Sequence, residues 1–187
     1  MEKGATSLAR PEEKILPLDR MRQQVKEWQA VGLTVVFTNG CFDLLHVGHV
    51  TLIDDARREG DRLILAINSD ASVASLKPGR PLIPENERAE ILAALHCVDA
   101  VVIYDELTPR EIVSALLPDV LVKGGDWADN KIIGREEVEA AGGRVVSIPV
   151  VPGYSTTEIL RKIREGAPSA EAAAESATPA PPSPTKS

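Results

Sequence analysis

The run Phe37-Thr38-Asn39-Gly40-Cys41-Phe42-Asp43-Leu44-Leu45-His46-Val47-Gly48-His49 carries an apolar strand into a glycine-containing turn and out into a helix. Two histidines three residues apart open that helix on one face. Free N–H groups and the positive end of a helix favour phosphate, and Gly48 lets a bulky ligand approach the backbone. Imidazoles placed there donate hydrogen bonds to a triphosphate and to the charge that builds during phosphoryl attack. The chain has three histidines, His46, His49 and His96, so two of the three stand at one strand-to-helix junction. Ordinary surface or half-buried histidines are the plain alternative. A zinc site drawn from Cys41, Asp43, His46 and His49 is the sharper one, but no HExxH or cysteine-rich spacing supports it, and no metal ligand set is expected.

Outward from this run, short apolar segments alternate with helical patterns, which is the pattern of a doubly wound parallel α/β sheet. Strands are expected over residues 34–38, 62–68, 100–104, 120–123 and 144–149, giving a five-stranded Rossmann-like domain. Helices are expected over 48–59, 85–95, 109–116, 135–141 and 155–165. Met21, Val25 and Trp28 stand at helical spacing in 18–31, an amphipathic lead-in helix suited to cover the sheet or to serve an interface. The domain is expected over 15–165, between a flexible stretch at 1–14 and a disordered tail at 166–187 that is rich in Ala, Pro, Ser and Thr.

Of the 187 residues, 43% are hydrophobic but only 3% aromatic, so Val, Ile, Leu and Ala must build the core, as they do in buried parallel strands. A formal charge of -7 argues against a broad basic surface for nucleic acid and leaves anionic ligands only a locally basic pocket. Cys41 and Cys97 form no CxxC pair, and the polar N-terminus carries no apolar signal segment. A cytoplasmic protein that neither crosses nor binds a membrane is expected.

Further motifs fall at the carboxyl ends of the expected strands, where open α/β sheets bind ligands. Thr38 to Asp43 follow the first, Asn68-Ser69-Asp70-Ala71-Ser72 the second, and Leu121-Val122-Lys123-Gly124-Gly125-Asp126 the fourth. Lys123 ends a buried strand, and Gly124-Gly125 frees the backbone to approach a ligand that Asp126 and Trp127 can border. A simple strand-to-helix turn is the alternative. Lys77 and Arg80 lie in Leu-Lys-Pro-Gly-Arg-Pro, a segment too rich in Pro and Gly for a helix. It is either a mobile basic loop over a phosphate site or a solvated loop. Arg88 opens the next helix, where Glu85 or Glu87 is a candidate partner. Ser155-Thr156-Thr157-Glu158 has capping-box spacing, which leaves helix N–H groups and two hydroxyls for a pyrophosphate. His96, Cys97 and Asp99 read as a structural turn.

The segment GCFDLLHVGH resembles the signature of the HxGH nucleotidyltransferase superfamily, in the branch that holds glycerol-3-phosphate cytidylyltransferase, and the resemblance extends over residues 33–164. Thr38-Asn39-Gly40, Asn68 to Ser72, Leu121 to Asp126 and Ser155-Thr156-Thr157 are similar to the pattern of heptose 1-phosphate adenylyltransferases, the second domain of bifunctional ADP-heptose synthases of lipopolysaccharide assembly.

This resemblance implies ATP as substrate with Mg2+, and a reaction in which a sugar 1-phosphate oxygen attacks the α-phosphorus and releases pyrophosphate. It implies that His46 and His49 contact the nucleotide phosphates and that Lys77 is catalytic. Thr38, Asn39, Gly40 and Phe42 would line the nucleotide pocket, with Gly48, Asn68, Asp70, Lys123, Gly124, Asp126, Ser155, Thr156 and Thr157 completing it and Arg88 held nearby. Asp43 is left between a group facing the base or magnesium and a helix cap. A separate heptose kinase acting upstream is implied, and a homodimer is common among such relatives. Pro152-Gly153-Tyr154 stands where cytidylyltransferases tend to place an arginine, which weakens the alternative of a cytidylyltransferase for glycerol 3-phosphate. A non-catalytic nucleotide-binding module is a further alternative. A nicotinamide-dependent oxidoreductase is disfavoured because the first turn has no GxGxxG.

Overall fold

The computed structural model describes residues 9–125 and 132–166. Among the described residues the elements follow one another as α1 (Pro11–Lys14), α2 (Leu18–Ala30), β1 (Val35–Gly40), α3 (Val47–Arg57), β2 (Arg62–Asn68), α4 (Asp70–Leu76), α5 (Glu85–Ala93), β3 (Ala100–Tyr104), α6 (Arg110–Leu116), β4 (Val120–Gly124), α7 (Arg135–Ala140), β5 (Arg144–Ile148) and α8 (Thr156–Glu165). The five strands form one parallel sheet in the order β3-β2-β1-β4-β5.

Strand composition explains the layering. Alternate residues of β1, β2 and β4 enter two different cores, so both faces are covered and the strands read as continuous apolar runs. Val36, Leu63, Leu65 and Val122 pack with Ile53 and Ala56 of α3 and with Ala89 and Leu92 of α5. Val35, Phe37, Ile64 and Leu121 pack with Met21 and Val25 of α2 and with Ile112 and Val113 of α6. Trp28 lies against this second core, with the Arg62 guanidinium 5.9 Å from its ring, so α2 covers the sheet.

The chain leaves β1 for β2 on one side and reaches β4 on the other. That reversal opens a crevice at the carboxyl ends of β1 and β4. The opposite edge is closed by carboxylates that take up strand N–H groups: Asp99 accepts from Leu63 at 2.8 Å and Asp119 from Val35 at 2.7 Å.

Two helices depart from the sequence reading. Residues 11–14, placed in a flexible N-terminus, form the helical turn α1, and Lys14 Nζ donates to the Val98 carbonyl at 2.9 Å. α4 carries no apolar stripe that sequence periodicity would reveal; Ser69 starts it by accepting the Ser72 N–H at 3.3 Å. β1 also runs two residues beyond Thr38, because Asn39 and Gly40 pair with Ala66 and Ile67. The chain turns at Phe42, where φ is 45°. A Cβ at Gly40 would stand 3.1 Å from the Phe42 ring, so glycine is what lets that ring fold back into the core.

Candidate active site

His46 is the N-cap of α3, and its side chain accepts the His49 N–H at Nδ1, 3.3 Å away. A ring that accepts at Nδ1 carries its proton on Nε2 when neutral, so the cap fixes the tautomer and leaves Nε2–H as a donor. The His46 and His49 rings stack with centroids 3.7 Å apart, and the edge of Phe42 meets His49 at 5.2 Å. Burial first, and then the His46 charge beside it, push the His49 imidazole down from 6.5 to about 4. Burial also lowers His46. Both rings are therefore neutral donors at physiological pH.

Between pH 6.5 and 4 the unfolded chain holds a proton on residue 49 that the folded chain lacks. The contribution to stability is fully present above 6.5 and lost as pH falls through that window. NMR titration of the ring should give a midpoint near 4 for the free protein, and bound pyrophosphate should move it upward, since an anion favours the charged ring. A midpoint near 6.5 in the free protein would contradict the described packing.

The N-terminal ends of α3 and α8 meet at a pocket of about 270 Å³ lined by His46, His49, Lys77, Arg80, Thr156 and Thr157 among others. Ser155 caps α8 by accepting the Glu158 N–H at 3.1 Å. The Glu158 carboxylate goes to Arg161 at 2.6 Å, so only half of the expected capping box forms. Two helix N-termini, two imidazoles and two cations around one cavity suit a polyphosphate. Gly48 lines this pocket too, and a Cβ there would stand 3.1 Å from the Tyr154 Cβ and 3.2 Å from His46 Nδ1, so the glycine also makes room for the protein's own His46 ring. Gly48→Ala should therefore shift the histidine pair and lower kcat by about 10- to 100-fold with little change in Tm, measured by steady-state turnover and thermal unfolding. A fully active variant would show that the ring's position is unimportant.

A second cavity of about 430 Å³ lies along the ends of β3, β2, β1 and β4, lined by Asn39, Gly40, Cys41, Asn68, Tyr104 and Lys123 among others. Lys123 Nζ donates to Asn39 Oδ1 at 3.0 Å, and Asn39 Nδ2 donates to the Tyr104 hydroxyl at 2.9 Å. Among the described residues no carboxylate lines this cavity, so nothing there neutralises the lysine. Burial lowers the Lys123 ammonium and raises the Tyr104 phenol from their ordinary values. A cation largely stripped of water is a ready receptor for an anion. Of the residues lining either cavity, Lys77 alone among those described lines both.

Several residues named from the sequence lie elsewhere. Thr38 is fully buried inside the sheet, with no hydrogen-bond partner for its hydroxyl. Phe42 is part of the core, lines neither cavity and meets the edge of the site at His49. Asp43 is neither a helix cap nor turned to the histidines: it accepts the N–H groups of Leu82 and Ile83 and the Arg80 guanidinium. Burial resists its ionisation, but those two N–H groups and Arg80 outweigh it and hold the carboxyl below its ordinary value.

Arg88 is 1% exposed and lines neither cavity. It donates to the carbonyls of Ile83, Cys41 and Asn68 and to Asp70 Oδ1 at 2.9, 2.6, 2.9 and 2.7 Å, so neither Glu85 nor Glu87 is its partner and Asp70 belongs to the same clamp. Gly124 faces Leu52 of α3, whose Cδ2 would lie 2.8 Å from an added Cβ. Asp126 and Trp127 lie outside the described residues. Tyr104 and Cys41 were not singled out as site residues. The signal for Tyr104 was its place as the last residue of a strand, level with Asn68, and for Cys41 its place in the turn after β1.

The model of the cytidylyltransferase-like family matches residues 37–162, more than half of the chain. The bifunctional protein HldE of Syntrophotalea carbinolica is 55% identical over 149 residues, 77% of this chain and 30% of that protein. That of Methylobacillus flagellatus is 50% identical over 152 residues, 81% and 31% respectively. The chain thus spans about a third of the length of these curated relatives. Among solved structures, a lipopolysaccharide core biosynthesis protein from Thermoplasma volcanium GSS1 superposes with a TM-score of 0.54 at 24% identity, covering 64% of this chain and 98% of its own. A protein of unknown function from Archaeoglobus fulgidus gives 0.51 at 21% identity, covering 65% and 93%. These two likenesses bear on the fold, which is the Rossmann-like nucleotidyltransferase fold, and the chain belongs to the cytidylyltransferase-like family.

Proposed function

We propose that this chain transfers the adenylyl group of ATP to a heptose 1-phosphate, giving ADP-heptose and pyrophosphate for assembly of the lipopolysaccharide core, in the cytoplasm where both substrates are made. The observation that carries the proposal is the pair of anion-ready cavities that meet at Lys77. The nucleotide triphosphate lies in the pocket of His46, His49, Thr156 and Thr157. The sugar phosphate approaches from the cavity of Asn39 and Lys123, which reassigns those two residues from the nucleotide to the acceptor.

A phosphate monoester is already ionised at neutral pH, with a second pKa of about 6, so no general base is needed. The residues align two polyanions and offset their repulsion. His46 and His49 donate to the phosphates, and Lys77 stands where the attacking oxygen meets the α-phosphorus. Magnesium takes oxygen ligands. Among the described residues no carboxylate lines the phosphate pocket, and that of Asp43 is engaged elsewhere, so these residues supply no protein site for the ion. Mg2+ is proposed to enter with the ATP phosphates. The substrate chemistry also requires an upstream kinase that phosphorylates the sugar at C1, on whichever polypeptide it resides.

The choice of ATP and a heptose rests on the resemblance of Asn68 to Ser72 and of Leu121 to Asp126 and on the identity to the HldE proteins. Incubation with ATP, Mg2+ and D-glycero-β-D-manno-heptose 1-phosphate should give a species with the mass of ADP-heptose and two coupled diphosphate resonances by 31P NMR. Recovery of unchanged substrates would count against the proposal.

A further inference from the structure

Asp43 belongs to the 37–49 run, yet its hydrogen bonds go to residues 80–83 and to neither histidine. The Asp43 side chain is fully buried. Oδ1 accepts the N–H groups of Leu82 and Ile83, each at 2.9 Å, while Oδ2 accepts the Leu82 N–H at 3.0 Å and the Arg80 guanidinium. All of these donors lie in the connection between α4 and α5. Arg88 fastens the same connection from the other side, reaching the Ile83 carbonyl at 2.9 Å and the Cys41 carbonyl at 2.6 Å. Residues 80–83 are thereby tied to residues 41–43.

Lys77, by contrast, is exposed, and its side chain borders both cavities. Its carbonyl accepts the Arg80 N–H at 3.1 Å, a turn that passes the fixed place of Arg80 on to Lys77. A flexible lysine on a glycine- and proline-containing connection has no preferred position of its own. Something must hold that connection over the phosphates, and a buried carboxylate with four hydrogen-bonded approaches is a firm anchor.

We propose that Asp43 is a positioning residue: it anchors the connection between α4 and α5 and so sets Lys77 and Arg80 over the phosphate pocket. It neither touches substrate nor holds magnesium. The kinetic part of this proposal rests on the adenylyl-transfer reading of the site; the anchoring part does not.

Two measurements on the full chain test it. In Asp43→Ala, amide hydrogen exchange at Leu82 and Ile83 should quicken by about 10-fold or more, while Leu65 and Ala66 in β2 keep their protection. Asp43→Asn retains an oxygen for those two N–H groups and should recover part of the protection. In turnover, Asp43→Ala should lower kcat by about 10- to 100-fold with a smaller effect on the KM for ATP. In a background that already carries Lys77→Ala and Arg80→Ala, it should add less than about two-fold to their loss, because the anchor then has neither cation left to place. Unchanged exchange at Leu82 and Ile83, or losses that multiply in that background, would overturn the proposal. If the unmodified protein releases no pyrophosphate from any substrate pair, the adenylyl-transfer reading fails and the exchange measurement alone decides the anchoring.

Discussion

His49→Ala is expected to lower kcat by about 10²- to 10³-fold while Tm moves little, which is the scale for losing one preorganised donor to developing phosphoryl charge. The ring is held by stacking on His46 and by the edge of Phe42, so its removal leaves a gap at the pocket wall and breaks no secondary structure. His46 differs because it has two tasks. Its Nδ1 caps α3 and its Nε2–H is left as a donor, so His46→Ala loses the cap as well as the donor. His46→Asn supplies a capping oxygen and should restore Tm to near that of the unmodified protein while kcat stays low. Equal recovery of both quantities in His46→Asn would show that capping is the whole of its role.

The second large effect is expected in stability. Arg88 has a fully buried side chain, and its guanidinium bonds three carbonyls and one carboxylate drawn from the turn after β1, the end of β2, the start of α4 and the connection before α5. Arg88→Ala leaves three carbonyls without their buried donor, while the Asp70 carboxylate, 43% exposed, turns to water. Breaking such a buried charged network costs about 3–5 kcal/mol. At about 2–4 °C per kcal/mol for a chain of this size, Tm should fall by roughly 6–20 °C in a thermal unfolding scan. Arg88→Lys keeps the charge but presents one ammonium where four directions must be served, so it should recover only part of the loss. A Tm within 2 °C of the unmodified protein for Arg88→Ala, against the roughly 6 °C minimum from the same scaling, would contradict the clamp.

What the sequence made legible follows from where local chemistry and tertiary structure agree. Residues 62–68 and 100–104 were read with the boundaries they have, because strands buried on both faces are unbroken apolar runs between polar turns. The histidine pair and the start of α8 were legible because each stands at a helix start that the alternation itself locates, whereas Lys77, which ends α4, was read from the Pro- and Gly-rich segment it opens. α4 was not, since its stability comes from the Ser69 cap and from packing rather than from a periodic face.

The roles of Asp43, Arg88 and Asp70 were hidden for a different reason. A charged residue in a functional motif looks the same in sequence whether it faces a ligand or a backbone carbonyl far along the chain, and only the fold reveals that Arg88 reaches Cys41 across 47 positions. Gly48, read as space for a ligand, lines the phosphate pocket, but that it also makes room for the His46 ring was not visible in the sequence.

The most direct test of the central claim is pyrophosphate release, with Mg2+, from each of ATP and CTP against heptose 1-phosphate and glycerol 3-phosphate, with His49→Ala beside the unmodified protein. Release from ATP with heptose 1-phosphate alone, lost in His49→Ala, is the predicted result. Release that requires CTP, or release undiminished in His49→Ala, would contradict it.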